Sequence, residues 1–403
     1  MQADPDLGIA LRSAGAQALA QALKDSRRDT LASFAVFEAG LPELMVPQRA
    51  ELNPPLWELG HIGWFQEYWI GRFAERRHGH RADPNAAREP ALRADADALY
   101  DSSHVAHDRR WQLPLPNADA TRADLAAQLQ QTLALLAGSS DDDDALYAFR
   151  LALLHEDMHH EAALYTLQSL GLGPTDARWQ PAALTAPRHE LDFDASLCQL
   201  GHAGPGFALD NELGAHVLQI APFSIDSQAV SWDDYLAFVD DGGHADRRCW
   251  SDAGWHWRAA QPTAGPRHLR RDGDHWQRNR WGRWQPLDPA QAACHLSAFE
   301  ADAWCAWAGR RLPSEAEWEC AATAALPAYQ WGAVWEWTAS DFRPYPGFAA
   351  HPYRDYSAPW FGSRRVLRGA SFATQPRLHH PRYRNYFEPG RSDLFAGFRS
   401  CAR

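Results

Sequence analysis

The chain has 403 residues, long enough for two or three domains with sizeable cores. Its 45% hydrophobic and 22% charged residues are ordinary for a globular protein, and a net charge of -12 argues against a general nucleic-acid binder. No apolar run approaches the ~18 residues of a membrane span. The six cysteines form no CxxC pair and "MQADPDLGIALRSAG" is no signal peptide, so reduced thiols in the cytoplasm are the expectation.

Four helical segments are predicted before residue 172. The first covers about residues 7–23, with "DTLASFAVFEA" (29–39) extending or following it. The second begins "NPPLWELGHIGWFQEYWIGRF", with Asn53 as N-cap and Pro54 at the first helical position, where a missing N–H is harmless. Leucines recur through "ADLAAQLQQTLALLAG", a third helix closed by Gly138. The fourth starts at the aspartates 141–144, favourable at the positive end of a helix dipole, and runs to Leu170, with Gly171 and Pro174 beyond. Four helices with apolar stripes suggest a bundle over residues 1–172, and 173–190 reads as a linker.

Beyond residue 190 the composition shifts to Trp, Gly, Pro and Arg, with most of the 19 tryptophans. Short apolar pieces, plus helices in "SWDDYLAFVDD" (231–241) and "SAFEADAWCAWAG" (297–309), predict an irregular α+β domain over 191–403. Within it, "GPRHLRRDGDHWQRNRWGRW" (265–284) reads as a basic, aromatic hairpin turning at Asp272-Gly273. It is either a plain exposed hairpin or a contact surface.

The chemistry concentrates in "LLHEDMHHEAAL" (153–164). At about 100° per residue from Leu151, His155 falls near 40° and His159 near 80°, on the flank of the apolar face, while Glu156 falls near 140° and His160 near 180°, among solvent. The second helix carries one buried stripe of Trp57, His61, Trp64, Phe65 and Tyr68. Burying His61, His155 and His159 without a shared partner leaves several polar nitrogens to satisfy, and one divalent cation resolves all three. The letters also spell the H-E-x-x-H of zinc peptidases. The long form fails, because Ala162 and Tyr165 stand where a Gly and a His belong, and Glu156 points away from the inward face. Three neutral histidines suit iron(II) binding oxygen and substrate together, or zinc activating water; the sequence does not choose between them.

Taken together, "PPLWELGHIGWF", "HEDMHHEAAL", "CHLSAFEADAWCAWAGRRLPSEAEWE", "VWEWTASDFRPYPGF" and "VLRGASFATQPRLHHPRYRNYFEP" followed by "FAGFR" resemble, in this order, the ergothioneine sulfoxide synthases (EgtB type) and the selenoneine synthases (SenA type). The resemblance covers nearly the whole chain. It implies an α plus α+β architecture: a DinB-like four-helix bundle followed by a formylglycine-generating-enzyme/sulfatase-modifying domain, a variant of the C-type lectin fold. It further implies an Fe(2+) site at His61, His155 and His159, hercynine (the trimethylated betaine of histidine) as substrate, and O2 as oxidant. A quaternary ammonium offers no hydrogen bond and is best held by aromatic faces, in keeping with the tryptophan-rich second half. By the same resemblance Asn385 and Tyr386 contribute to the hercynine pocket, with Asn385 toward the carboxylate. Tyr345, in "FRPYPGF", is the candidate proton donor, or else a tyrosine locking a turn.

Two departures bear on the sulfur or selenium donor. Synthases that take γ-glutamylcysteine carry an acid where this chain has Phe387, which cannot pair with an amine. The loop "LYDSSHVAHDRRW" (99–111) places Ser103, His104 and Arg109 where thiol contacts are expected; it suits a hydroxyl-rich ligand, or is merely solvated. The favoured expectation is an iron oxidase that forms a C–Se bond at the imidazole C2 of hercynine, with a selenosugar as donor. The rival donors are cysteine and γ-glutamylcysteine. Two further rivals are a zinc-dependent thiol transferase and a non-catalytic lectin-like binding module. Neither nucleic acid nor membrane is an expected partner.

Overall fold

The apolar stripes of the first 172 residues assemble into helices whose caps are legible in the chain. In the computed structural model, which describes residues 5–403 apart from 175, 186 and 264, α1 (Pro5–Arg12) precedes α2 (Ala16–Gly40), α3 (Pro55–Gln66), the short α4 (Ala96–Tyr100), α5 (Ala118–Ala137) and α6 (Asp143–Leu170). The Asn117 and Asp142 side chains cap α5 and α6 by accepting from the Ala120 and Ala145 N–H groups. Gly171 ends α6 at φ 73°, a left-handed conformation that glycine adopts without strain.

Two helix boundaries differ from the sequence expectation. The first helical stretch breaks at residues 13–15, inside the helix expected over 7–23, while 29–39 extends the helix, one of the two readings the sequence offered. The polar Ser26 and Arg27 stay helical because they are buried against α6, Ser26 donating to Asp157 at 2.6 Å and Arg27 to Glu156 at 2.8 Å. Helix α3 is capped by Pro54 rather than Asn53. The Asn53 amide instead donates to Glu58 at 2.5 Å, and its oxygen accepts from Arg110 at 2.8 Å. Past Gln66 the helix widens into one π turn, Glu67–Gly71.

Positions 175 and 186 of the expected linker lie outside the described residues, but the middle of that segment is docked. Arg178 pairs with Asp29 at 2.8 Å, and Trp179 packs on the His160 ring at 4.8 Å. From Glu190 onward the chain forms small sheets. β1 (Glu190–Phe193) pairs antiparallel with β4 (Phe223–Asp226), and β2 (Ser196–Leu200) with β3 (His216–Ile220). The basic segment is a three-stranded meander: β5 (Leu269–Asp272), β6 (His275–Arg280) and β7 (Arg283–Pro286). The central sheet has the order β10-β9-β8-β11, from β8 (Trp335–Asp341), β9 (Arg365–Gly369), β10 (Asn385–Phe387) and β11 (Ala396–Gly397); β11 runs parallel to β8. The helices here are α7 (Trp232–Asp240), α8 (Asp252–Ala259), α9 (Ala298–Trp307) and α10 (Glu315–Thr323). Three of them start in capping boxes, Ser231 with Asp234, Ser297 with Glu300, and Ser314 with Glu317.

Beside buried indoles such as Trp318 and Trp337, the core of this second half holds three arginines with no solvent exposure, Arg368, Arg384 and Arg399. Each is neutralised by a glutamate: Glu319, Glu315 and Glu336 respectively. Removing one member of such a pair strands the other charge out of water. Arg399→Met is therefore expected to lower unfolding free energy by about 3–5 kcal/mol, measured by urea titration, and adding Glu336→Leu should recover much of the loss.

Candidate functional site

Helix α6 brings an acid or histidine to nearly every position from His155 to Glu161, and neighbouring elements take each in turn. Glu156 pairs with Arg27 of α2. Asp157 accepts from Ser26 and from Arg377 of the second half, the latter at 2.5 Å. Glu161 accepts from Trp335 Nε1 (2.8 Å), Ser371 Oγ (2.6 Å) and Thr374 Oγ1 (2.8 Å). His160 is buried, contrary to the solvent position expected for it. Its Nδ1 shares a 3.2 Å hydrogen bond with Ser33, because α2 and the docked Trp179 cover the face that a lone helical wheel leaves open.

That leaves His155 and His159 aimed at α3, where they meet His61. One ring nitrogen of each lies within 4.8 Å of the others, and the rings are 4.4–5.1 Å apart by centroid. His61 stacks on Trp57 at 4.9 Å, and its Nδ1 bonds to the Tyr100 carbonyl at 2.8 Å. His159 Nδ1 bonds to Glu58 at 2.5 Å. Both Nδ1 atoms face pure acceptors, so each carries the proton and each Nε2 keeps a lone pair turned toward the common centre. The Nε2 atoms of His155 and His159 lie 3.2 Å apart, and the buried His155 Nδ1 has no partner among the described residues. Converging lone pairs are what a cation would satisfy. Burial, reinforced by the neighbouring His159, pulls the His61 pKa down to about 3, and burial likewise takes His155 well below its ordinary value, so both are neutral donors. Burial alone would raise Glu58, but His159 beside it brings its carboxyl down to about 2 and keeps it an acceptor.

A cavity of about 240 Å³ opens beside His159 between α6 and the second half. Met158, Ala162 and Tyr165 form one wall, and Trp335, Tyr356, Tyr383 and Phe395 the other, with Asn385, Tyr386 and Phe387 of β10 at its edge.

Residues 179–334 and 329–403 match the family model of the sulfatase-modifying factor enzyme 1-like domain. The hercynine oxygenase of Mycolicibacterium thermoresistibile is 32% identical over 94% of this chain and 94% of its own. The chain belongs to the hercynine oxygenase family. The hercynine oxygenase of Mycobacterium tuberculosis is also 32% identical, over 86% of this chain and 90% of its own. The formylglycine-generating enzyme of Streptomyces coelicolor is 29% identical over 46% and 76%. Among solved structures, PvdO from Pseudomonas aeruginosa covers 53% of this chain and 93% of its own, with 16% identity and a TM-score of 0.37. This member of the hercynine oxygenase family is accordingly an oxidoreductase. Among the described residues, no helix is long and apolar enough to cross a membrane.

The expected site residues divide sharply by position. Asn385, Tyr386 and Phe387 reach the cavity that His159 borders; Tyr345, Ser103, His104 and Arg109 do not line it. Tyr345 lies under the Arg384 guanidinium at 3.9 Å and beside His216 and Glu315. The tyrosine that faces the triad is Tyr353, with its ring 5.0 Å from Phe65 and 6.2 Å from His155. Nothing in local spacing separates Tyr353 from Tyr345; the distinction needs the loop's path. His104 is exposed and bonded to Asp101, Arg109 is exposed, and Ser103 donates to Asp355, tying its loop to the Tyr353 segment. The arginine of that loop which turns inward is Arg110, stacked 3.8 Å over Trp57 and near Glu58 and Tyr353.

Next in chain to Tyr356, Ser357 donates to the buried Asp210 at 2.5 Å, and the second Asp210 oxygen has no partner among the described residues. Burial raises the Asp210 pKa from 3.8 to about 6. The folded state therefore holds this proton more tightly than the unfolded chain, and its contribution to stability falls as pH rises from about 4 through about 6. Asp210→Asn is expected to flatten the pH dependence of unfolding in that window and to gain on the order of 2–3 kcal/mol at neutral pH, compared by urea unfolding at the two ends of the window.

Proposed function

We propose that this protein is an iron(II)- and O2-dependent oxidase that joins selenium, from a selenosugar, to the imidazole C2 of hercynine. The observation that carries the reading is the convergence of the His61, His155 and His159 rings beside a cavity shared by both halves, in a chain that spans nearly the full length of relatives named hercynine oxygenase. Residues 1–172 act as the metal-bearing bundle, 173–190 as the connector and 191–403 as the substrate-binding domain, and the free cysteines are consistent with a cytoplasmic setting.

Iron(II) held by the three Nε2 atoms would supply the one-electron chemistry that couples O2 reduction to carbon–chalcogen bond formation. The protein's own side chains do the rest. Tyr165, Trp335, Tyr356 and Tyr383 hold the trimethylammonium by their faces. The Asn385 amide, whose oxygen already accepts from the Tyr386 N–H at 2.9 Å, turns its NH2 to the carboxylate. Trp57, Phe65 and Trp64 exclude water around the imidazoles. Tyr353, its pKa raised by burial, keeps a phenolic proton near the reacting centre. The selenosugar preference rests on Phe387: the cavity edge presents an aromatic ring where an amino-acid donor needs a carboxylate.

His155→Ala and His159→Ala should each abolish iron retention and O2 consumption while leaving the circular dichroism spectrum unchanged; retention of both would end the metal assignment. Tyr353→Phe should lower kcat by about a hundredfold with little change in KM, whereas Tyr345→Phe should stay within a few fold. Hercynine offered in parallel with selenoglucose, cysteine and γ-glutamylcysteine settles the donor, and preferred turnover of either thiol defeats the selenosugar.

A further inference from the structure

A second cavity, of about 220 Å³, lies inside the carboxy-terminal half, away from the histidine triad. Its walls are largely apolar, with Leu184 and Ala183 from the connector side and Trp331, Val334 and Phe372 from the sheet side. Two charged residues line it, Glu336 and Arg278, and they are not equivalent. Glu336 is spent: it accepts from Arg399 at 2.5 and 2.8 Å and from Trp318 Nε1 at 2.8 Å. Arg278, half-buried on β6, makes one hydrogen bond among the described residues, to the neutral Gln291 oxygen at 2.6 Å, and no ion pair. Arg280 shares its face of the strand two positions on and has a single carbonyl contact, Trp179 at 3.5 Å. A guanidinium drawn into an apolar recess is stable only when paired or hydrogen-bonded, and its five N–H donors match a carboxylate in a two-pronged fashion. Burial lowers the pKa of both arginines from the ordinary value, as expected for cations short of a counter-charge.

We propose that this cavity binds a small carboxylate carrying an apolar or aromatic body, with Arg278 as its charge partner. The apolar walls select the body and the guanidinium selects the anion, so a bare oxyanion is a poor ligand and a neutral isostere a worse one. The two cavities share no lining residue, and Phe372 of this one packs on Phe395 of the other at 4.7 Å.

Benzoate is the probe, titrated into the full-length protein and followed by isothermal calorimetry and by quenching of tryptophan emission, to which Trp331 contributes. Saturable binding of benzoate, no binding of benzamide, and at least a tenfold loss of benzoate affinity in Arg278→Gln at unchanged melting temperature are expected. Ala183→Trp, which fills the cavity from the exposed connector side and leaves the charge in place, should also block benzoate. This keeps the idea testable if the arginine variant fails to fold. Equal binding of benzamide, unaltered benzoate affinity in either variant, or binding of inorganic phosphate without benzoate would overturn the assignment.

Discussion

Helix α6 crosses the middle of the protein while carrying six ionisable side chains between His155 and Glu161, and no rotation of it leaves them all in water. An unsatisfied buried polar group costs about 1–3 kcal/mol, more when charged, so the helix is held at the one setting that gives each a partner. Arg27 and Ser26 take the face toward α2, Arg377 bridges from the second half, and Trp335, Ser371 and Thr374 close on Glu161. With those contacts made, His155 and His159 have one direction left, toward His61. The aim of the imidazoles follows from the satisfaction of their neighbours.

The same contacts join the two halves. Arg12 with Glu212 and Tyr147 with His351 extend the seam at its other end. Polar bonds of this kind fix register where an apolar face tolerates sliding, and register is what a shared cavity needs. His159 and Tyr165 come from one side and Asn385 and Tyr386 from the other, so a shift of an ångström along the seam would separate donors from imidazoles.

Helix ends, the two-part composition and the histidine trio were legible because each depends on short-range rules: a cap, a periodicity, an i, i+4 pair. His160 was misplaced because its burial depends on Trp179, a residue of the connector that no helical wheel includes. Asn53 lost its cap role to a contact with Glu58 and Arg110, the latter 57 residues away. Tyr345 and Tyr353 are indistinguishable by composition and lie in one long irregular stretch between β8 and β9. Which of them reaches the triad depends on that stretch folding back over Phe65, a tertiary fact with no local signature. Irregular segments carry the least sequence code for direction, and Tyr356, which lines the cavity, lies in the same stretch.

Desolvation acts on several buried imidazoles and phenols around the triad, and its two signs are complementary. Burial lowers His61 and His155 and raises Tyr165, Tyr353, Tyr356 and Tyr383, so those two imidazoles stay unprotonated and those four phenols stay protonated across the ordinary pH range. Arg391, the cation near Phe387 and Tyr165, is already held by Asp393 at 2.6 Å. The aromatic wall therefore contributes no net charge of its own. On the proposed reading, the trimethylammonium of the betaine would meet these π faces without a competing ammonium or guanidinium.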